Sequence, residues 1–214
     1  MENARNEFLR LRKYMLVPSN SPIASPLAIA LKPTKPYVRF CGDYVYINKF
    51  IVHAQHFIPN VQQELTKASK AQYYCDLDMR NAFHQIQLSL LTSLRLSIIT
   101  MWGTFRPVFM PESISPATGV LNTIMTEIFK DLLESVIVIF DNFLVLSTSH
   151  EDTYNKLVQL ITVCADRNVI LGLAKSKIGY DEAVFFGYKV SKGTYRMTEE
   201  RKIAISTLAM PTTT

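Results

Sequence analysis

The chain has 214 residues, 48% of them apolar and 19% charged, with a formal net charge of +5. This is enough apolar chain for one large domain or two small lobes with a real core, and too little charge for a disordered polymer. The charge is unevenly placed. Residues 1–50 carry Arg5, Arg10, Arg12, Lys13, Lys32, Lys35, Arg39 and Lys49 against Glu2, Glu7 and Asp43; this accounts for the whole excess of +5, and the remainder is neutral. A basic surface of this kind attracts phosphates by releasing their counter-ions, and it equally fits a solvated basic helix.

Residues 2–14 read as a short basic helix with Phe8, Leu9, Leu11 and Tyr14 available for packing. Pro18, Pro22 and Pro26 then force extended, turning backbone. Residues 27–31 read as a buried strand, 32–36 as a loop with two lysines, and Val38 to Cys41 as the return strand of a hairpin. Residues 60–69 suit a helix. In residues 72–78, Tyr73, Cys75 and Leu77 fall on one side of a strand and Tyr74, Asp76 and Asp78 on the other. A helical stretch is expected from about Asn81. Pro111 to Lys130 reads as a turn and then a long helix, with Leu121, Ile124, Met125 and Ile128 at helical spacing.

Residues 136–146 are two β-rich apolar runs separated by Asp141-Asn142, residue types that tolerate positive φ, so a tight hairpin is expected there. A helix over 151–168 and a last hairpin around Lys192-Gly193 complete the pass. Hairpin-joined strands interleaved with helices favour an α+β fold with an antiparallel sheet over a doubly wound parallel one.

The cysteines Cys41, Cys75 and Cys164 are odd in number and far apart, which leads to the expectation of an intracellular, reducing compartment, cytoplasm or nucleus, with thiols used as small hydrophobes. His53 and His56 lack the further Cys or His that a zinc site needs. The polar N-terminus does not read as a signal peptide, and no apolar run reaches the roughly 18–20 residues of a membrane span. No internal repeat or low-complexity segment is present apart from a short Thr run at 212–214.

An aspartate at the tip of an apolar hairpin needs compensation, either by solvent at an exposed turn or by a metal ion. Asp78, ending a second strand with Asp76 on the same face, offers a second carboxylate. Two carboxylates from neighbouring strands suit hard divalent cations, which serve in-line phosphoryl transfer.

Several segments, taken in order, resemble the reverse transcriptase of gypsy-type LTR retrotransposons. Residues 18–26 (Pro-Ser-Asn-Ser-Pro-Ile-Ala-Ser-Pro) are similar to the family's P-S-x-S-P opening segment, and residues 39–49 to its R-F-C-V-D-Y segment. Asp78 with Ala82, Phe83, His84, Gln85 and Ile86 resembles the block around the first catalytic aspartate. Met110-Pro111 and Pro116-Ala117-Thr118 resemble the M-P-F-G-L block and its sequel. Residues 136–147 resemble the Y-x-D-D hairpin, and Leu171 to Lys177 and Phe186-Gly187 to Ser191 resemble two closing motifs. The order holds from about residue 5 to 205.

The resemblance implies a right-hand polymerase fold of fingers and palm, with an antiparallel palm sheet backed by helices. Fingers would comprise 1–72 and 87–110, palm 73–86 and 111–205, and a tail 206–214. It implies RNA-directed DNA polymerisation from an RNA template and DNA primer, using deoxynucleotide triphosphates and Mg²⁺ or Mn²⁺. Asp78 and Asp141 would hold metal, assisted by the Met79 carbonyl. Phe83 would exclude a 2′-hydroxyl; by itself it is also a plain core aromatic. Arg39, and either Lys32 or Lys35, would hold the triphosphate, and Lys177 would face the leaving pyrophosphate; the lysines also fit a solvated surface.

Three positions depart from the family pattern. Asn142 stands where the second aspartate of Y-x-D-D is expected, keeping an oxygen but losing a charge. Glu112-Ser113-Ile114 replaces F-G-L, putting a carboxylate where a nucleotide should lie. Asp76 adds negative charge beside Asp78. A decayed or repurposed copy, acting as a nucleic-acid-binding or protein-interaction module within a larger assembly, is therefore the alternative expectation. Thumb, connection and ribonuclease H domains are expected to be absent, leaving a weak grip on template and primer.

Overall fold

The computed structural model describes residues 2–52 and 60–208. His53, His56 and the Thr run at 212–214 lie outside the described residues. The elements in order are α1 (Glu2–Arg12), β1 (Leu16–Pro18), β2 (Ser25–Leu31), β3 (Val38–Gly42), α2 (Val45–Asn48), α3 (Val61–Ala68) and β4 (Tyr73–Asp78). A 3₁₀ turn at Ala82–Gln85 leads to α4 (Leu90–Arg95), β5 (Ile98–Thr100), β6 (Gly103–Pro107) and α5 (Ala117–Ile128). Then come β7 (Val136–Ile139), β8 (Asn142–Ser147), α6 (His150–Asp166), β9 (Lys177–Tyr180), β10 (Glu182–Phe185), β11 (Tyr188–Ser191), β12 (Thr194–Met197) and α7 (Glu199–Ser206).

Two compact units divide the chain: Met1–Phe57 with Asn81–Thr123, and Ile58–Arg80 with Ile124–Thr214. The division groups α3 with β4 and not with the β2–β3 hairpin.

The first unit is built on a five-stranded sheet in the order β1-β6-β5-β2-β3. The β2–β3 hairpin forms as expected, with Leu31 opposite Val38. The expectation that 27–31 is buried is corrected: Ile29 and Leu31 are exposed. The reason lies in the pairing. β5 covers only Ser25 and Pro26, so the rest of β2 pairs with β3 alone, as a ribbon beyond the sheet.

Helix α1 buries Phe8 and Leu11, while Leu9 and Tyr14, expected to pack, are exposed. Phe8 stacks on Trp102 with ring centroids 4.3 Å apart and meets Phe105 edge-on at 5.0 Å. Glu7 is buried because Arg10 forks onto it: Nε and Nη2 each donate at 2.7 Å to its two carboxylate oxygens.

The second unit holds a four-stranded antiparallel sheet, β7-β8-β4-β9, and a three-stranded one, β10-β11-β12. All four residues of β7 are buried, as are all of β8 except Asn142, because both faces of this sheet are covered. One face presents Tyr74, Ile137, Ile139, Leu144 and Leu146 to a core completed by Leu65 of α3 and by Phe185 and Val190 of the smaller sheet. The Tyr74 hydroxyl, sunk in that core, donates to the Ala68 carbonyl at 3.0 Å. The other face carries Val136, Val138, Phe143 and Val145, with Phe129 edge-on to Phe143 at 4.9 Å. Helix α3 starts where Asn60 accepts from the Gln62 amide at 2.9 Å. The last expected hairpin is β11–β12, with Gly193 at φ +77° in its two-residue turn.

The β7–β8 turn is shifted by one residue from expectation. Ile139 pairs with Asn142, so the turn residues are Phe140-Asp141, not Asp141-Asn142. Phe140 takes φ +56°, a left-handed conformation that is unfavourable for a bulky residue. Its ring packs against the core of the unit, which offsets the backbone strain.

Phe143→Ala removes a fully buried ring and is expected to destabilise the chain by about 3–5 kcal/mol. Phe50→Ala, at a side chain 69% exposed, should change stability by about 0.5 kcal/mol or less. Urea unfolding midpoints of the two variants check this.

Candidate functional site

Residues two apart on a strand share a face, so β4 presents Asp76 and Asp78 together. The antiparallel register sets Asn142 of β8 directly opposite Asp78, and Lys177 of β9 directly opposite Asp76. Directly opposed residues lie about 4.5–5.5 Å apart at Cα, with side chains on the same face. Asp76, Asp78, Asn142 and Lys177 therefore share one side of the sheet. This is the same side that farther along holds Tyr74, Leu144 and Leu146 against the core.

Asp141 sits in the adjoining turn. Its carbonyl accepts from the Met79 amide at 2.7 Å, tying the hairpin tip to the end of β4. Its carboxylate Oδ1 accepts from Asn142 Nδ2 at 3.2 Å. Asp78, Asp141 and Asn142 are half-exposed, and Met79 is buried. The chain beyond α6 fixes β4 from its other side. Gly172 donates to the Asp78 carbonyl at 2.7 Å, Arg80 donates to the Ile170 carbonyl at 2.9 Å, and Met79 bridges to Leu171. The segment from Leu171, the first of the two closing motifs, thus runs beside Asp78.

Burial first, and the Asp78 charge second, push the Asp76 carboxyl above its ordinary value, while Lys177 pulls it down. Lys177 itself is exposed.

The remaining candidates belong to the first unit. Arg39 projects from β3, and its Nη1 lies 3.2 Å from Oε2 of Glu112 in an ion pair. Lys32 follows β2 directly; its amide donates to the Tyr37 carbonyl at 2.8 Å, closing the hairpin loop that carries the exposed Lys35. Phe83 is half-buried in the 3₁₀ turn Ala82–Gln85. The helical stretch expected from Asn81 ends there, since Met110 donates to the Ile86 carbonyl at 2.9 Å and draws the following residues into extended backbone.

Two residues that feel both charges of the Arg39–Glu112 pair, Cys41 and His84, were given no site role by sequence reasoning. Burial pushes the Cys41 thiol up, helped by Glu112 and opposed by Arg39 and Lys32, so all three charges act on it. Burial lowers the His84 imidazole, with Glu112 raising it and Arg10 and Arg39 lowering it further. Spacing alone could not have found this grouping, because its members come from β3, the 3₁₀ turn and the loop before α5. Asp78, Met79, Asp141, Asn142 and Lys177 are thus gathered in the second unit, and Lys32, Lys35, Arg39, Phe83 and Glu112 are carried by the first.

The raised Asp76 carboxyl has a pH signature. A carboxyl whose folded value lies above its unfolded value stabilises the fold when protonated, and that contribution is lost as pH rises through the folded value. Asp76→Asn is therefore expected to raise the melting temperature near neutral pH, and to leave it unchanged below the ordinary carboxylate range. Thermal unfolding of both forms across that range checks the sign.

Residues 31–190 match the family described as reverse transcriptase (RNA-dependent DNA polymerase). The chain is 28% identical over 219 residues to the retrovirus-related Pol polyprotein from transposon 297 of Drosophila melanogaster, covering 99% of this chain and 20% of that protein. It is 24% identical to the corresponding polyprotein from transposon opus of the same organism, covering 94% and 21%. It is also 24% identical to the transposon Tf2-7 polyprotein of Schizosaccharomyces pombe (strain 972 / ATCC 24843), covering 76% and 12%. The chain thus spans about a fifth or less of the length of these relatives.

Among solved structures, the foamy viral protease-reverse transcriptase in complex with dsDNA superposes with a TM-score of 0.83 at 15% identity, covering 98% of this chain and 44% of that one. The same enzyme in complex with RNA/DNA hybrid gives 0.78 at 16%, covering 94% and 27%. At such identities the likeness shows the fold, the α+β polymerase fold expected from the sequence. Among the described residues no helix is long and apolar enough to cross a membrane. The chain belongs to the reverse transcriptase (RNA-dependent DNA polymerase) family, as a reverse transcriptase domain of a gypsy-type retroelement.

Proposed function

We propose that the chain is the polymerase core of a retroelement, adding deoxynucleotides to a DNA primer on an RNA template, with weakened holds on both metal and nucleotide. The observation that carries this reading is the junction of β4 with the β7–β8 turn: Asp78 faces Asn142, and Met79 is bonded to Asp141. In this reading the sheet of β4, β7, β8 and β9 is the palm, and the β2–β3 hairpin belongs to the fingers.

The donors at that junction are all oxygens: two carboxylates, the Asn142 amide and the Met79 carbonyl. They fit hard cations such as Mg²⁺ or Mn²⁺, although Asn142 supplies one charge fewer than a second aspartate would. Among the described residues no group of three or more His, Cys, Asp and Glu gathers as a metal cluster. When bound, such ions activate the primer 3′-hydroxyl and neutralise the departing pyrophosphate.

The chain's own residues have separate tasks. Arg39, with Lys32 or Lys35, holds the triphosphate, the planar guanidinium pairing two-pronged with phosphate oxygens. Phe83 lies against the sugar and excludes a 2′-hydroxyl. Lys177 offers a proton or a positive charge to the leaving pyrophosphate.

A second reading is favoured by two observations: the amide at position 142 and the pairing of Arg39 with Glu112. It is a non-catalytic reverse-transcriptase fold kept as a nucleic-acid-binding or protein-interaction module. The polymerase reading and the nucleic-acid-binding form of the second share an expectation of nucleic-acid binding. The excess of +5 in residues 1–50 should give weak binding to RNA or RNA–DNA duplex. Its affinity should fall with salt by a log–log slope of about −0.9 per phosphate neutralised on B-DNA, and about −0.7 on single strands. Fluorescence anisotropy across a salt series checks this; no binding at low salt, or no salt dependence, counts against both of these and leaves the protein-interaction module.

Primer extension separates them. The unmodified chain is expected to show little incorporation, and Asn142→Asp alone to recover little, because Glu112 still opposes the triphosphate. At an effective dielectric of about 20, like charges ~4 Å apart cost on the order of 4 kcal/mol, roughly 10³ in rate. Asn142→Asp combined with Glu112→Gln should therefore exceed either single change by at least about tenfold. The assay uses a short primer–template with Mn²⁺ beside Mg²⁺. Robust incorporation by the unmodified chain, abolished by Asp141→Ala, would show the site to be stronger than proposed. No gain from the double change would favour the non-catalytic module.

A further inference from the structure

We propose that Glu112 is a built-in counter-ion of Arg39, paired with a guanidinium nitrogen that a phosphate group would take, so that polyphosphate binds this unit in competition with it. The inference rests on the reading of Arg39 as a phosphate-holding residue, and adds a determinant of affinity at that residue.

The pairing is set up by the backbone. Glu112 lies in a segment pinned at several points. Ser113 Oγ donates to the Gly42 carbonyl at 2.9 Å, three residues along β3 from Arg39. Asn48 Nδ2 donates to the Ser113 carbonyl at 3.2 Å, and the Ser115 amide donates back to Asn48 Oδ1 at 3.0 Å. Pro111 and Ile114 are buried on either side of Glu112-Ser113. The loop therefore presents Glu112 to Arg39 from a fixed position, and little chain freedom remains to be lost when the pair forms.

The rest of the neighbourhood suits an anion. Lys32 and Arg39 both act on Cys41, and Arg10 and Arg39 both act on His84, while Glu112 acts on each with the opposite sign. Glu7 also acts on His84 with the sign of Glu112, but Glu7 is held by Arg10, whereas Glu112 acts on both Cys41 and His84 and pairs with Arg39. With its Nη1 already paired to the Glu112 carboxylate, Arg39 offers less to a phosphate, which seeks the same guanidinium donors. The pair is half-exposed, at 48% for Arg39 and 39% for Glu112, and such pairs add little to fold stability. Its effect falls on ligand binding, where an arriving phosphate meets both a competitor and a like charge.

The test is calorimetric titration of the full chain with inorganic tripolyphosphate, without divalent ions, at low ionic strength. Glu112→Gln is expected to tighten binding about tenfold, and Glu112→Ala to behave alike. Adding Arg39→Ala should remove the gain. Glu127→Gln, which deletes an equal charge at an exposed carboxylate paired with Lys130, should produce none.

The proposal is overturned if Glu112→Gln binds no more tightly than the parent, if Glu127→Gln gains as much, or if the gain survives Arg39→Ala. Because the titration contains no metal and reads no incorporation, it fails independently of the polymerase reading. A gain in affinity with primer extension still absent from every variant sinks the polymerase and leaves the counter-ion standing.

Discussion

The register between β4 and β8 is the constraint on which the second unit depends. Side chains alternate across a strand, so a slip of one residue would turn every one of them to the opposite face. With Asp78 opposite Asn142, Tyr74 falls opposite Leu146 and Asp76 opposite Leu144, which sends Tyr74, Leu144 and Leu146 into one core and Cys75, Leu77, Phe143 and Val145 into the other. The apolar pattern thus holds the polar end of the sheet in place. The carboxylates need no interaction of their own to be positioned; they sit where the buried rows run out.

A second theme is the matching of cations by acids that the family pattern does not supply. Arg39 is paired with Glu112 in one unit, and Lys177 stands across from Asp76 in the other. Glu112, half-exposed, costs the fold little, whereas Asp76 is held against its burial and the Asp78 charge, with Lys177 opposing both only in part.

The fold was largely legible because its strongest signals are local. The β-branched run before Phe140 and the apolar run after Asn142 could only be a buried hairpin, and the alternation from Tyr73 to Asp78 gave its partner strand. Local turn chemistry misled by one residue: Asp-Asn looks like the better turn, but the burial of the Phe140 ring and the pairing of Asn142 with both Ile139 and Asp78 outweighed it. Strand β9 was unreadable, because Lys-Ile-Gly-Tyr carries no alternation and its pairing with β4 is irregular between Tyr74 and Asp76. The motifs placed Asp78 on a strand and Asp141 at the neighbouring hairpin, and the register brings these two segments together. The ion pair of Arg39 with Glu112 could not be read, because it joins segments distant in sequence through a loop conformation that no local pattern encodes.

The Phe8–Trp102 stack gives the first unit an optical label of its own. The chain has a single tryptophan, and its indole lies 4.3 Å from Phe8 and 6.2 Å from Phe40 by ring centroids. Its emission therefore reports on the unit that carries α1 and β3, while backbone ellipticity reports on both units together. Because Phe8 comes from the first helix, loss of that helix uncovers the indole and shifts its emission to the red. A titration in denaturant that follows indole emission alongside backbone ellipticity reads directly whether the two units come apart in one transition or two.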